Sequence, residues 1–182
     1  MRIFLDMDGV IADFVRPAIS LHGRDPDEVL ANWPAGTFDV AKVLGLTTKE
    51  FWKPITIAGW RWWVGLPHYS WSDDLLNVVQ SFAGDDWLFA SSPSRSCQSA
   101  SGKIAWLQRR FGSHFRKYML GEHKHLFAKS GAVLIDDREQ SVIEFREAGG
   151  EAILFPQPWN SLGLVADPVA HIRIELALIA GL

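Results

Sequence analysis

The sequence is poor in cysteine, has no long apolar run and carries no strong excess of either charge. Its single cysteine, Cys97, excludes a disulfide within one chain and favours a reducing compartment. No apolar run approaches the length of a membrane-spanning helix, and the chain opens into a predicted strand rather than a signal peptide. A net charge of −3 argues against duplex nucleic acid as a partner. We therefore expect a cytoplasmic protein that binds neither a membrane nor duplex nucleic acid.

Short apolar runs that end in polar or turn residues recur along the chain. Helical patterns separate most of these runs, and this alternation predicts an α/β fold with a parallel sheet flanked by helices on both faces. The predicted strands are Ile3–Leu5, Trp87–Ala90, Ala132–Ile135 and Ala152–Phe155, with a further one at Tyr118–Leu120.

Capping residues bound the predicted helices. Ser101 is a candidate N-cap for a helix that buries Ile104, Leu107 and Phe111 and ends at Gly112. The remaining boundaries are Ser72 before a helix through Phe82, Gly149-Gly150 after a helix from about Gln140, and Asp167-Pro168 before a C-terminal helix.

Residues 14–71 differ in composition from the rest of the chain. This segment holds six of the nine tryptophans, and Thr47 to Glu50 form a plausible capping box. We predict a small, mainly helical cap at 14–71, inserted after the first strand, and an α/β core formed by 1–13 and 72–182.

Three of the predicted strands end in polar side chains. They are Asp6/Asp8, Ser91/Ser92 and Asp136/Asp137. Open α/β sheets bind ligands at the carboxyl ends of their strands, so these groups should converge at one edge. Carboxylates packed together repel each other unless a cation or protons neutralise them, and hard carboxylate oxygens suit Mg²⁺. The pattern therefore predicts a magnesium-dependent site for a phosphate ester.

These motifs, in this order, resemble those of the haloacid dehalogenase (HAD) superfamily of phosphatases. Asp6-Met7-Asp8-Gly9-Val10 is similar to the first motif, Ser91 to the second and Asp136-Asp137 to the fourth. The resemblance spans most of the chain and implies a Rossmann-like α/β core with a cap.

The resemblance also implies a role for each residue. Asp6 would be the nucleophile that forms an aspartyl-phosphate, and Asp8 the general acid and base. Ser91, with Ser92 beside it, would bind the phosphate. Magnesium would be held by Asp6, the backbone carbonyl of Asp8 and Asp136, with Asp137 close by.

The third motif of the superfamily is a lysine, for which the sequence offers two candidates. Lys124 follows a predicted strand and is preferred as the phosphate-binding residue, whereas Lys129 lies in a sequence typical of an exposed turn. His123 and His125 flank Lys124 without a third soft ligand, so we interpret them as surface or substrate-rim residues. Arg138 can orient the acidic pair or form a structural ion pair.

Three longer segments resemble the 5′(3′)-deoxyribonucleotidase branch of the superfamily. They are Asp-Met-Asp-Gly-Val-Ile-Ala-Asp-Phe at the first motif, Ser-Ser-Pro after the second strand, and Leu-Ile-Asp-Asp-Arg at the fourth motif. That resemblance implies that Phe14 covers a nucleobase. Arg61, Trp62 and Trp63, with Trp60 nearby, are further candidates for substrate contacts. Lid packing is the alternative role for the tryptophans.

The expected function is a 5′-nucleotidase that acts on nucleoside monophosphates. Two alternatives stay open: a phosphatase for another small metabolite such as a sugar phosphate, and a catalytically silent binding module. The sequence leaves open whether the protein is a monomer or a homodimer.

Overall fold

The structure of the protein is a computed structural model that describes residues 1–163 and 165–182. Within them, five strands form one sheet in which every neighbouring pair is parallel: β1 Arg2–Leu5, β2 Trp87–Ser91, β3 Tyr118–Leu120, β4 Ala132–Asp136 and β5 Glu151–Leu154. The strand order is β3-β2-β1-β4-β5, so β1 lies at the centre. The predicted α/β fold with a parallel sheet is confirmed.

Helices cover both faces of the sheet, as parallel sheets require. Their bounds are α1 Val15–Leu21, α2 Pro26–Ala31, α3 Val40–Val43, α4 Thr48–Ala58, α5 Trp60–Val64, α6 Ser72–Ala83, α7 Cys97–Phe111, α8 Glu139–Glu147 and α9 Pro168–Ala180. A 3₁₀ turn spans Lys124–Phe127.

Successive side chains of the central strand point to opposite faces of the sheet, which explains why Ile3, Phe4 and Leu5 of β1 are all apolar. Ile3 and Leu5 belong to the larger apolar cluster, which also contains residues of α6, α7 and α9. Phe4 belongs to a smaller cluster on the other face, together with Val142 and Phe145 of α8. The strand is therefore buried on both sides, and its carboxyl end is left for the site.

The predicted N-terminal caps are correct at α4 and α9 and wrong at α6 and α7. Ser72 is already the first residue of α6, and its hydroxyl donates to the Ile11 carbonyl instead of capping the helix. Thr47 and Glu50 form a reciprocal capping box on α4, and Asp167 caps α9. Helix α7, however, begins at Cys97, one turn before the predicted start, because the Ser96 side chain accepts a hydrogen bond from the Gln98 backbone N–H. Ser101 lies inside the helix, where its hydroxyl donates to the Gln98 carbonyl.

Helices α1 to α5 all fall within residues 14–71, the segment for which the sequence predicts a cap. Phe51, Ile55 and Trp63 of this segment belong to the same apolar cluster as Ile3 and Leu5 of the sheet. The segment therefore packs directly on the rest of the chain, and its assignment as a separate domain stays a prediction.

The last helix of this segment packs closely against α7. A Cβ atom placed on Gly102 would lie 2.4 Å from Cβ of Trp63 and 2.9 Å from the Trp60 carbonyl oxygen, so only glycine fits here without movement. Gln98 accepts a hydrogen bond from the Trp60 backbone N–H, and the Trp106 indole donates one to the Leu66 carbonyl. These contacts fix α5 on α7.

In the described part of the chain, none of the helices combines the length and the apolar character needed to cross a membrane.

Candidate active site

The carboxyl ends of three neighbouring strands bring the predicted polar residues together. Asp6 directly follows β1, Ser91 ends β2 and Asp136 ends β4. Leu5 pairs with Phe89 on one side and with Ile135 on the other, so the residues after them emerge at the same edge of the sheet. The topology therefore produces the convergence that the sequence predicts.

Three of the carboxylates form a buried cluster. Asp6, Asp136 and Asp137 each offer an oxygen atom within 4.8 Å of the others. Burial raises the pKa of Asp136, and Lys124 opposes this effect without cancelling it. Burial, followed by repulsion from Asp136 and Asp6, raises the pKa of Asp137 well above its usual range.

Lys124 is buried and forms ion pairs with two of these carboxylates. Its Nζ atom lies 2.7 Å from Oδ2 of Asp136 and 2.9 Å from Oδ1 of Asp6. Burial by itself would lower the pKa of Lys124, but the attraction of Asp136 and Asp6 outweighs it and raises the pKa. Lys129 is exposed. The geometry therefore favours Lys124 over Lys129 as the lysine of the site.

A second lysine of the site, Lys103 on α7, is missing from the set that the sequence suggested. Its side chain is fully buried, and Nζ lies 2.5 Å from Oδ2 of Asp8 and 3.0 Å from Oγ of Ser91. Burial raises the pKa of Asp8, and Lys103 opposes this rise in part. Because an ammonium group can only donate, Ser91 accepts from Lys103 and keeps its own hydroxyl proton for a ligand.

The sequence does contain a signal for Lys103. The buried face of α7 is formed by Ser99, Gly102, Lys103, Trp106 and Leu107, rotated from the face expected for a helix that starts at Ser101. Lys103 lies four residues after Ser99 and three before Trp106, so it shares the buried face of α7 with them. A lysine is unusual on such a face.

The Gly9 backbone and the loop after β5 hold Asp137 in place. The Trp159 indole N–H donates to Oδ2 of Asp137, and the Asn160 side chain donates to the Asp137 backbone carbonyl. Gly9 has a φ of +75°, and a Cβ atom there would meet Oδ2 of Asp137 at 2.0 Å. The glycine of the first motif is thus needed both for its backbone conformation and for the space it leaves. Trp159 and Asn160 carried no motif that would reveal this role.

A cavity of about 490 Å³ opens above these residues. Asp6, Asp8, Ser91, Ser92 and Lys124 contribute its polar wall. The aromatic part of the wall consists of Phe14, Phe38, Trp52, Trp63 and Trp159.

The candidate substrate contacts from the cap segment separate into two groups. Phe14 and Trp63 line the cavity and stack with ring centroids 5.5 Å apart. Trp62 packs edge-on against both rings and is outside the described lining. Arg61 is exposed, with its guanidinium 5.9 Å from the centroid of the Trp60 ring. The structure therefore places neither Arg61 nor Trp62 at the cavity.

The other polar residues near the site have structural partners. The Ser92 hydroxyl donates to the Gly121 carbonyl, although Ser92 also lines the cavity. Arg138 contacts Asp136 through its backbone N–H, and its guanidinium lies 5.6 Å from the centroid of the Phe38 ring. His123 is exposed and His125 is half-buried, and both lie outside the described cavity lining.

The residues present fit a divalent cation such as Mg²⁺. When all groups are ionised, the site has four negative charges, on Asp6, Asp8, Asp136 and Asp137. The two buried lysines carry two positive charges, so a net charge of −2 remains, which one divalent cation balances. Carboxylate oxygens are the ligands that Mg²⁺ prefers in proteins. Asp6, Asp136 and Asp137 would hold the ion.

Two solved structures that superpose on this chain are hydrolases. Over 98% of this chain and 97% of the other, the structure superposes on a HAD-superfamily hydrolase from Ehrlichia chaffeensis with a TM-score of 0.52 and 12% sequence identity. The chain has the HAD fold. A hydrolase from Streptococcus pneumoniae TIGR4 matches 100% of this chain and 98% of its own, with a TM-score of 0.50 and 12% identity. Neither a protein-family model nor a curated protein matches the sequence.

Proposed function

We propose that this HAD-fold protein is a magnesium-dependent phosphomonoester hydrolase that acts on nucleoside 5′-monophosphates through an aspartyl-phosphate on Asp6. The observation that carries the proposal is one cavity lined by the partly exposed Asp8 and by four buried residues, which are Asp6, Ser91, Lys124 and Asp136. The HAD fold shared with two hydrolases supports it.

The first half of the reaction transfers the phosphoryl group to the protein. A carboxylate oxygen of Asp6 attacks phosphorus, and the bond between phosphorus and the ester oxygen breaks. Lys124, 2.9 Å from Asp6, offsets the negative charge that the nucleophile and phosphate share. The Ser91 hydroxyl, oriented by Lys103, donates to a phosphate oxygen.

The second half returns Asp6 to its starting state. Asp8 gives its proton to the leaving alcohol in the first half, and its carboxylate then takes a proton from the attacking water. Water adds to phosphorus, the bond to Asp6 breaks, and inorganic phosphate leaves. The raised pKa of Asp8 suits a group that must carry a proton in one step and accept one in the next. Magnesium, when bound, supplies positive charge that reduces the repulsion between Asp6 and the phosphate.

The aromatic wall of the cavity supports a nucleotide as the substrate. Phe14, Trp52 and Trp63 line the cavity beside the phosphate-binding residues, and Trp52 and Trp63 have parallel rings with centroids 6.4 Å apart. A nucleobase offers a flat π face that stacks on such side chains, whereas a sugar phosphate has none.

The decisive experiment is a substrate panel assayed with Mg²⁺ for release of phosphate. Nucleoside 5′-monophosphates should have higher kcat/KM values than sugar phosphates. A clear preference for sugar phosphates would instead support the small-metabolite phosphatase. No turnover of any phosphomonoester by folded protein with Mg²⁺ would contradict the enzymatic function and favour a binding module.

A further inference from the structure

Lys103 contacts the site from behind its wall. Its side chain is completely buried, and it is absent from the lining of the cavity in the part of the chain that the structure describes. Asp8 and Ser91, the two side chains that accept its hydrogen bonds, both line the cavity. The hydrogen bonds of Lys103 therefore reach the cavity through these two residues.

Two of the three N–H protons of Lys103 are already donated to side chains of the protein. An ammonium group has three protons. One is donated to Asp8 and one to Ser91, and Nζ lies 5.3 Å from the centroid of the Trp63 ring. The aromatic face of Trp63 also attracts the positive charge of the ammonium group.

The bond from Lys103 fixes one oxygen of the Asp8 carboxylate. Oδ2 accepts from Lys103 at 2.5 Å, whereas Oδ1 is buried and has no hydrogen-bond partner among residues 1–163 and 165–182. The side chain of Asp8 is 25% exposed, so without this bond the carboxylate could turn toward solvent.

We propose, resting on the hydrolase function above, that Lys103 is a positioning residue that fixes the Asp8 carboxylate for proton transfer to the leaving oxygen. The contacts of α7 support this role. Gly102 brings α7 against Trp63 of α5, so the same packing that fixes the cap segment fixes the position of Lys103. Displacing a reacting group by about 1 Å can cost about 100-fold in rate.

The test uses the dependence of the rate on the leaving group. Proton donation matters for a poor leaving group such as a nucleoside, and hardly for an activated phenol such as 2,4-dinitrophenol. We expect Lys103→Met to lower kcat/KM for a nucleoside 5′-monophosphate by about 100-fold and that for 2,4-dinitrophenyl phosphate by less than about 10-fold. The ratio kcat/KM is used because it includes the step in which the leaving group departs. A structural role for Lys103 alone would lower both values equally, and that result would overturn the proposal.

Two further variants complete the test. In an Asp8→Asn background, adding Lys103→Met should cost no more for the nucleotide than for 2,4-dinitrophenyl phosphate, because the remaining effect passes through Ser91 and the phosphate that both substrates share. Independent, additive losses would contradict the assignment. If Lys103→Met does not fold, Lys103→Gln is the second variant, because it keeps a buried donor without the charge. It should also lose more kcat/KM for the nucleotide than for 2,4-dinitrophenyl phosphate.

Lys117→Met is the matched control. Lys117 is a partly exposed lysine paired with Asp85, and it lies just before β3, at the amino ends of the strands and so away from the site. Its loss should change neither value. If the wild-type protein cleaves both substrates but Lys103→Met loses equally on each, only the role of Lys103 fails. If the wild-type protein cleaves neither substrate, the hydrolase function fails and the role of Lys103 fails with it.

Discussion

The indole N–H of Trp159 donates a hydrogen bond to Oδ2 of Asp137, over a distance of 2.6 Å. Both residues are buried, so the bond is shielded from water. The same oxygen also lies against Gly9, where there is no room for a Cβ atom. Asp137 therefore has a single orientation, set by a residue that is distant from it in sequence.

Replacing Trp159 with phenylalanine tests whether this orientation matters for the metal. The aromatic ring is kept and the N–H donor is lost, so we expect the Mg²⁺ concentration for half-maximal activity to rise by about 10-fold or more. Trp87→Phe is the control, because Trp87 is a buried tryptophan at the amino end of β2. An equal rise in both variants would show that the change follows from lost packing rather than from the hydrogen bond.

The parts of the site that the sequence predicts are those carried by a strand and the residues directly after it. Asp6, Ser91 and Asp136 have this property, because a buried strand leaves a local apolar pattern and parallel strands end at one edge. Lys103 and Trp159 do not, since each contacts its partner across more than 20 positions of sequence. Their roles depend on how a helix and a loop dock on the sheet. The apolar face of α7 marks Lys103 as unusual, but its local pattern does not name Asp8 as the partner, and Trp159 has no local signal.

Gly102 is predicted to be essential for the packing of α5 on α7. Gly102→Ala should lower the free energy of unfolding by about 1–3 kcal/mol, because the new methyl group would overlap Trp63 and the Trp60 backbone. Urea denaturation measures the change. Ser101→Ala, at the neighbouring exposed position of α7, should alter stability by less than about 0.5 kcal/mol. Equal stability of Gly102→Ala and the wild type would mean that α5 shifts freely on α7.

The raised pKa values of Asp8, Asp136 and Asp137 predict how pH and Mg²⁺ act together. The folded protein holds these protons more tightly than the unfolded chain, so without a divalent cation the stability they contribute is present at low pH and is lost as pH rises through the folded-state pKa values. Mg²⁺ binds the ionised carboxylates, so its stabilising effect should grow over the same range.

Melting temperatures measured with and without Mg²⁺ test this linkage. The increase caused by Mg²⁺ should be larger at about pH 8 than at about pH 5.5. Asp137→Asn should show a smaller increase and a weaker pH dependence without the metal, since the amide has no proton to release. An increase that is the same at both pH values would argue against binding at these carboxylates.

Asp6→Asn tests the nucleophile itself. The amide has nearly the shape of the carboxylate but is not an effective nucleophile toward phosphorus, so turnover should fall by at least about 1,000-fold. Trifluoroberyllate, which binds a carboxylate in place of a phosphoryl group, should raise the melting temperature of the wild type with Mg²⁺ and leave that of Asp6→Asn unchanged. Asp13→Asn is the control, because Asp13 is also buried but accepts a hydrogen bond from the Arg16 backbone N–H in the first turn of α1. That variant should keep its activity, since asparagine can accept the same hydrogen bond. Near-normal turnover by folded Asp6→Asn would show that phosphate is transferred without a covalent bond to Asp6.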